Sequence, residues 1–282
     1  MGAFDVLVAV ILGIVEGITE WLPVSSTGHM ILVNQFLQFS DEKFQEMFLV
    51  VVQLGAIMAV VLLFWNKIFP FNFKYKKSNE SFVKWDIMQL WFKILVSCLP
   101  AAVIGVLFDD IIDEMFYNAV VVAGALIIYG ILFIVIENWN KGRRPAVRRV
   151  SEISYSTAVI IGIFQVLAAI VPGTSRSGAT IIGALLIGVG RSVAAEYTFY
   201  LAIPVMFGAS LLKIVKGGLS YGAMGWTTLL VGMFVAFIVS LFVIRFLMSY
   251  IRKHDFKVFG YYRIVLGVIV LLYFLISGAA VI

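Results

Sequence analysis

Long uninterrupted runs of apolar residues dominate the chain, and they predict helices that cross a membrane. Six runs reach the roughly 20 residues that a helix needs to cross about 30 Å of hydrocarbon. Their continuous apolar character, without alternation of apolar and polar positions, favours helices over the strands of a barrel. We therefore predict an all-α integral membrane protein. The predicted spans cover residues 46–65, 88–107, 117–137, 195–214, 224–249 and 259–280.

Two further apolar regions, residues 1–40 and 155–190, are interrupted near the middle by proline and glycine. Proline removes a backbone donor and glycine loosens the chain, so neither region favours one straight span. Each predicts a re-entrant helix-loop-helix hairpin that dips into the membrane. The interrupting residues are Pro23 and Gly28 in the first region, and Pro172, Gly173 and Gly178 in the second.

Charged residues between the spans predict the orientation. Loops rich in lysine and arginine remain on the cytoplasmic side of a membrane, and this places both termini outside. The first hairpin then enters from the outer face and the second from the inner face. The basic residues are Lys67, Lys74, Lys76, Lys77, Lys84, Lys141, Arg143, Arg144, Arg148, Arg149, Arg252, Lys253 and Lys257, and a predicted external loop carries Asp109, Asp110, Asp113 and Glu114.

The two halves of the chain, residues 1–140 and 150–282, resemble each other at an offset of about 149 residues. Three spans per half is an odd number, so such a repeat must have inverted topology within one membrane domain, residues 1–282. Two hairpins that enter from opposite faces are expected to meet near the midplane. The matched pairs are Gly13 with Gly162, Glu16 with Gln165, Pro23 with Pro172, and Ser26 with Ser175.

Composition supports the membrane assignment and narrows the function. The chain of 282 residues is 62% hydrophobic and 13% charged, far more apolar than a soluble core of that length can bury. The net charge of +5 lies between the spans, where anionic headgroups account for it, so we expect no nucleic-acid partner. Cys98 is the only cysteine, which excludes an internal disulfide and a cysteine-based metal site. The start lacks a basic region, so we expect no cleaved signal peptide.

The first hairpin carries two carboxylates and a hydroxyl-rich turn. Glu16 and Glu20 stand four residues apart, which places both on one helix face, suited to a divalent cation or a general base. The turn continues through Ser25-Ser26-Thr27-Gly28-His29, where a serine near an imidazole is a candidate nucleophile. The structural alternatives are an exposed cap for Glu16, plain helix capping for the hydroxyls and an interfacial place for His29.

The second hairpin carries Pro172-Gly173-Thr174-Ser175-Arg176-Ser177-Gly178-Ala179-Thr180. A glycine-containing turn before a helix directs free backbone N–H groups and the positive end of the dipole at one point, which favours a phosphate. Arg176 can add a planar bidentate grip on phosphoryl oxygens. The alternative, an interfacial arginine among serines that pack helices, does not explain why an arginine occupies the broken centre of a hairpin.

With both motifs together, the chain resembles the undecaprenyl-diphosphate phosphatase family, the bacterial lipid-carrier phosphatases also linked to bacitracin resistance. The resemblance implies hydrolysis of the polyprenyl diphosphate lipid to the monophosphate and inorganic phosphate, with a divalent cation, Mg²⁺ or Ca²⁺, required. This reaction recycles the carrier for cell-wall synthesis. The resemblance also implies the bacterial inner (plasma) membrane as the location, so that the external termini are periplasmic. Glu16 and Glu20 are then the expected metal ligands, and Ser26 is the expected nucleophile with His29 as base and then acid; Glu20 or His29 acting on a water remains the second mechanism. The phosphate-binding residues are expected to be Arg176, Ser175, Ser177, Thr180, Gly173, Thr174 and Thr27.

A secondary transporter or a flippase of an anionic lipid is the rival interpretation. Inverted repeats with broken helices at the midplane are typical of transporters, and an arginine with helix ends can bind an anion without chemistry. A carrier, however, needs no serine and histidine beside paired carboxylates. The sequence leaves oligomerisation open.

Overall fold

The computed structural model describes residues 2–73, 81–116, 118–217 and 221–278. Within these ranges the chain is helical and contains no β-strand, in agreement with the predicted class; two isolated bridges join loops. The helices are α1 Ala3–Thr19, α2 Ser26–Asn34, α3 Glu42–Val51, α4 Gln53–Leu63, α5 Trp65–Ile68, α6 Trp85–Phe116, α7 Ala119–Trp139, α8 Tyr155–Ile170, α9 Arg176–Leu186, α10 Arg191–Gly217, α11 Gly222–Tyr250 and α12 Lys257–Ser277.

Six helical segments in the described part of the chain are long and apolar enough to cross a membrane, which confirms the predicted number. The first joins α3 and α4 through Val52, and the others lie within α6, α7, α10, α11 and α12. Their bounds are Glu42–Leu63, Trp85–Phe108, Ala119–Trp139, Arg191–Lys216, Gly222–Tyr250 and Lys257–Ser277.

One predicted loop is wrong. The acidic stretch assigned to an external loop continues α6 as helix to Phe116. Residues 106–116 contain neither proline nor glycine, so nothing in the sequence ends the helix where the apolar run stops. Of the basic residues used for orientation, Lys74, Lys76 and Lys77 lie outside the described residues.

Both interrupted regions form two helices joined by a short loop, α1 to α2 and α8 to α9. Helix α1 packs along α11, and α8 packs along α6. Glycine permits both approaches: a Cβ on Gly13 would lie 2.6 Å from the carbonyl oxygen of Gly232, and one on Gly162 would lie 2.5 Å from that of Ser97. Each first helix is thus held by a long helix of the opposite half of the chain.

The first loop and helix α9 contribute to the largest hydrophobic cluster among the described residues. Trp21, in the first loop, is fully buried and packs edge-on against Phe199 of α10, with ring centroids 5.4 Å apart. Ile181 and Ile182 of α9 belong to the same cluster. Apolar packing therefore positions the first loop and the helix that follows the second.

A charged contact fixes the ends of three long helices at the face where the basic loops lie. The buried carboxylate of Glu137, near the end of α7, accepts from Nε of Arg191 at 2.8 Å and from the backbone N–H of Phe256 at 3.0 Å. Arg191 begins α10 and Phe256 precedes α12. This contact joins α7 to the starts of α10 and α12.

Candidate active site

Each loop ends in a serine with an unusual backbone conformation. Ser25 has φ 71° and Ser175 has φ 69°, and they are the only non-glycine residues with positive φ in the described part of the chain. Each hydroxyl caps the helix that follows: Ser25 Oγ accepts from the N–H of Gly28 at 3.3 Å, and Ser175 Oγ accepts from that of Gly178 at 3.1 Å. Such conformations cost about 1 to 3 kcal/mol and concentrate at functional sites.

The capping geometry corrects the register between the halves. Ser175 corresponds to Ser25, not to Ser26 as an offset of 149 predicts, because both residues are N-caps with the same backbone conformation. Ser26 and Arg176 then occupy the same position, the first residue of α2 and of α9. The second loop contains one more residue after its proline, and its Gly173 has φ 87°.

Glu20 joins the two loops. Its Oε2 accepts from the hydroxyl of Ser26 at 2.7 Å, and its Oε1 accepts from Nη2 of Arg176 at 3.0 Å. The Glu20 side chain is 7% exposed and that of Arg176 is 12% exposed, so solvent screens this ion pair weakly. The structure thus brings together three of the four predicted catalytic residues.

Helix α10 provides a second contact for the Arg176 guanidinium. Its Nη1 donates to the backbone carbonyl of Thr198 at 3.0 Å, while its Nε has no partner among the described residues. Thr180 supports the same contact, because its fully buried hydroxyl lies 2.9 Å from that of Thr198 and donates to the Arg176 carbonyl at 2.9 Å. The Thr180 hydroxyl therefore links the backbone of Arg176 to the side chain of Thr198.

The other predicted phosphate ligands lie on the same two loops. Ser177 is buried and donates to the backbone carbonyl of Glu20 at 3.3 Å, and its hydroxyl lies 3.1 Å from that of Ser175. Gly173 and Thr174 are buried, and Thr174 Oγ1 has no hydrogen-bond partner within the described ranges. Thr27 is half-buried in the first turn of α2.

Glu16 and Gln165 lie buried on α1 and α8 with unpaired polar atoms. Glu16 is 1% exposed and its Oε1 has no partner; Gln165 is 2% exposed, and neither polar atom of its amide is paired within the described residues. Buried polar atoms are almost always hydrogen-bonded in folded proteins. This concentration of unpaired groups, together with Arg176 Nε, indicates a place where a polar ligand completes the contacts.

His29 has other partners than the sequence predicts. Its Nδ1 lies 2.7 Å from the carbonyl oxygen of Ser25, and its Nε2 lies 2.7 Å from the phenol oxygen of Tyr262. A carbonyl only accepts, so the neutral ring carries its proton on Nδ1 and accepts from the phenol at Nε2. The hydrogen-bond partner of Ser26 is Glu20, and the expected pairing of Ser26 with His29 is not seen.

Three residues at the site were missed by the sequence analysis: Thr198, Tyr262 and Arg263. Thr198 and Tyr262 carry no signal, because each is an ordinary residue within an apolar span. Arg263 does carry one, since it lies inside the span Lys257–Ser277, where an arginine is expensive unless it has a function.

Comparison with known proteins identifies the family of the chain. A family model described as bacitracin resistance protein BacA matches residues 9–269. The chain belongs to this family. Both loops and all six apolar spans overlap the matched region, so membership applies to the whole site.

Relatives of high similarity carry one name. The chain is 62% identical over 275 residues to a protein of Desulfitobacterium hafniense named undecaprenyl-diphosphatase, covering 97% of this chain and 98% of the relative. It is 60% identical over 277 residues to undecaprenyl-diphosphatase 1 of Clostridium acetobutylicum, covering 98% and 100%. It is 51% identical over 276 residues to the undecaprenyl-diphosphatase of Streptococcus mutans, covering 96% of both chains.

Proposed function

We propose that this multi-pass membrane protein hydrolyses undecaprenyl diphosphate to undecaprenyl phosphate and inorganic phosphate. The observation that carries the proposal is the buried Glu20 carboxylate, which accepts from the hydroxyl of Ser26 and from the guanidinium of Arg176. A nucleophile, a base and an anion-binding cation are thereby in contact. The names of the relatives supply the lipid substrate, whose recycling serves peptidoglycan synthesis.

The second loop is suited to hold the diphosphate. Arg176 has an unpaired Nε, the hydroxyls of Ser175 and Ser177 lie side by side, and the N-terminus of α9 supplies its dipole. Gly173, Thr174 and Thr180 shape and brace this loop.

Phosphoryl transfer begins at Ser26. The hydroxyl oxygen attacks the terminal phosphorus while its proton passes to Glu20 Oε2, and the bond from that phosphorus to the bridging oxygen breaks. Undecaprenyl phosphate leaves with the electron pair. Arg176 neutralises charge on the transferred group, and phosphoryl transfer depends mainly on such positioning and neutralisation.

A water molecule completes the reaction. It attacks the phosphoserine, gives one proton to His29 Nε2 once the Tyr262 phenol has turned away from that nitrogen, and forms inorganic phosphate, while Ser26 recovers its proton from Glu20. His29 is suited to this step because its Nδ1–H is fixed on the Ser25 carbonyl, which leaves Nε2 as the basic nitrogen. His29 thus acts on the water rather than on Ser26.

The carboxylates fit a divalent cation. Magnesium is commonly bound through one or two carboxylates together with substrate phosphates, and the unpaired Oε1 of Glu16 lies one helical turn from Glu20. The described residues contain no cluster of three or more acidic, histidine or cysteine ligands, so phosphate oxygens and water would complete the coordination. Mg²⁺ or Ca²⁺ held by Glu16 and Glu20 would neutralise phosphate charge.

The two halves form an inverted repeat with re-entrant hairpins, and both termini face the outside of the plasma membrane. The basic loops between the spans support the placement of the termini, and three observations support the repeat. Both caps share one conformation, α1 and α8 each pack on a long helix of the opposite half, and Gly28 faces Leu126 as Gly178 faces Arg263.

The direct test is phosphate release from undecaprenyl diphosphate by the purified protein in detergent, with and without EDTA. We expect release that EDTA abolishes and added Mg²⁺ or Ca²⁺ restores, and we expect Glu16→Gln to raise the cation concentration required for half-maximal rate. The same variant gives the control for general damage, since its rate at saturating cation should partly recover. No release under any divalent cation, with lipid transfer between leaflets instead, would support a transporter.

A further inference from the structure

Arg263 of α12 contacts both loops with one guanidinium group. Its Nη2 donates to the carbonyl oxygens of Gly173 and Thr174, both at 2.9 Å, and its Nη1 donates to that of Pro23 at 3.3 Å. The side chain is fully buried. A single residue of a third element therefore connects the loop of α1 and α2 with the loop of α8 and α9.

The charge of Arg263 has no anionic partner. None of the ion pairs among the described residues includes it, and its remaining neighbour is the ring of Tyr129, whose centroid is 5.7 Å from the guanidinium carbon. An unpaired buried cation weakens folding relative to an apolar side chain of the same volume. Stability alone therefore does not account for an arginine here.

The carbonyl groups that accept hydrogen bonds from Arg263 lie close in the chain to the two serines with positive φ. Gly173 and Thr174 immediately precede Ser175, and Pro23 lies two residues before Ser25. Positive φ at a serine persists only where surrounding contacts enforce it. The guanidinium supplies such contacts to both loops at once. Its Nη1 would also lie 3.0 Å from a Cβ on Gly178, so it fills the space at the start of α9.

Only one half of the chain has this residue. Gly28 of α2 is faced by Leu126 of α7, where a Cβ on the glycine would lie 3.0 Å from the leucine side chain. Gly178 of α9 is faced in the same way by Arg263. The hydrogen bonds that connect the two loops through an arginine therefore come from α12, and α7 has no equivalent residue at Leu126.

We propose that Arg263 is a positioning residue, which fixes the two loops relative to each other and so sets the distance from Ser26 to Arg176. The positioning role is carried by the two terminal nitrogens, which donate to carbonyl oxygens of both loops, while Nε has no hydrogen-bond partner within the described ranges. The catalytic consequence rests on the proposed phosphatase function. The structural consequence, which is order in both loops, is independent of that function.

The test compares Arg263→Gln and Arg263→Lys with Arg191→Gln in the full-length protein. Arg191 is the matched control, because it is also a hydrogen-bonded arginine that links helices but lies away from the loops. Two readouts are measured: kcat and KM for undecaprenyl diphosphate, and hydrogen exchange of the amides of Gly28 and Gly178, which are bonded to the capping serines.

For Arg263→Gln we expect kcat to fall about a hundredfold with KM changed less than about threefold, since misplacement of reacting groups by about 1 Å has such an effect. Both amides should exchange at least about tenfold faster. For Arg263→Lys we expect a smaller loss of kcat, about tenfold, because an ammonium cannot reach all three carbonyls. Arg191→Gln should change neither readout in folded protein by more than about twofold.

The proposal is overturned if Arg263→Gln retains kcat within about threefold, or if exchange rises no more in the loops than elsewhere. Should Arg263→Gln fail to fold, Arg263→Lys decides, and wild-type kcat and exchange in that variant refute the proposal. Should the wild type release no phosphate, the proposed function fails, while exchange in the two loops still tests the role of Arg263.

Discussion

Oε1 of Glu20 lies 3.0 Å from Nη2 of Arg176, although 156 residues separate the two in the chain. The carboxylate belongs to the first loop and the guanidinium to the second, so neither half of the protein has a complete site. The same carboxylate accepts from the hydroxyl of Ser26. In the proposed mechanism, attack and phosphate binding are therefore coupled through one buried group.

Ser26→Ala removes the proposed nucleophile. We expect phosphate release to fall by at least about a thousandfold, because attack through a serine leaves no alternative oxygen in the same place. Ser210→Ala is the matched control, since Ser210 is a buried serine of α10 whose hydroxyl donates to the carbonyl of Val50, away from the loops. If Ser26→Ala keeps more than about a tenth of the rate, an activated water replaces the serine. Rapid acid quench of the wild type should trap phosphate on Ser26.

Gly173→Ala places a side chain where the second loop has no room for it. The residue has φ 87°, and a Cβ would lie 2.7 Å from the carbonyl oxygen of Val122. We expect a loss of about 1 to 3 kcal/mol in stability and a lower kcat, measured by thermal unfolding and phosphate release. Gly124→Ala is the control on the same helix as Val122, because a Cβ there has nothing within 4 Å, and it should be neutral or stabilising. Equal effects of the two substitutions would refute the account of this turn.

Glu137→Gln separates stability from catalysis. The buried carboxylate accepts from Arg191 and from the N–H of Phe256, so loss of its charge should destabilise the protein by about 2 kcal/mol. Activity per folded molecule should stay within about twofold, since the contact lies away from the loops. Glu46→Gln, which breaks the exposed pair with Lys213, should change stability by less than about 0.5 kcal/mol. A Glu137→Gln protein of normal stability would contradict the structural role of this contact.

The orientation is testable by cysteine labelling in a Cys98→Ser background. Glu42 and Lys141 are both exposed, and the proposed topology places the first outside and the second in the cytoplasm. A cysteine at position 42 should react with an impermeant thiol reagent added to intact cells, whereas one at position 141 should react only after lysis. The opposite pattern would reverse the topology.

Much of the fold could be predicted from the sequence because continuous apolar runs have one outcome in a membrane. The six spans are confirmed, and the breaks at Pro23 and Pro172 correctly divide two regions into helix pairs. The prediction of a loop at the acidic end of α6 was wrong, because polarity was taken as a signal for a loop. A stretch without proline or glycine continues the helix.

The sequence predicted which residues form the site better than it predicted which of them contact each other. The motifs indicated Glu20, Ser26 and Arg176, which the structure brings together, but not that Glu20 would be the partner of Ser26. His29 is instead paired with Tyr262 of α12, a contact across 233 residues that no local pattern encodes. Likewise, the register of the two loops depends on backbone conformation at Ser25 and Ser175, which an alignment of residue types misses by one position.

A double-mutant cycle on kcat/KM with Glu20→Gln, Arg176→Gln and the double variant tests most directly whether the two loops form one catalytic site. We predict that each single substitution lowers kcat/KM by about a hundredfold or more. We also predict that kcat/KM of the double variant is within about threefold of that of the less active single variant, because groups that act as a unit are strongly non-additive. Losses that multiply, to about ten-thousandfold in the double variant, would contradict a shared site.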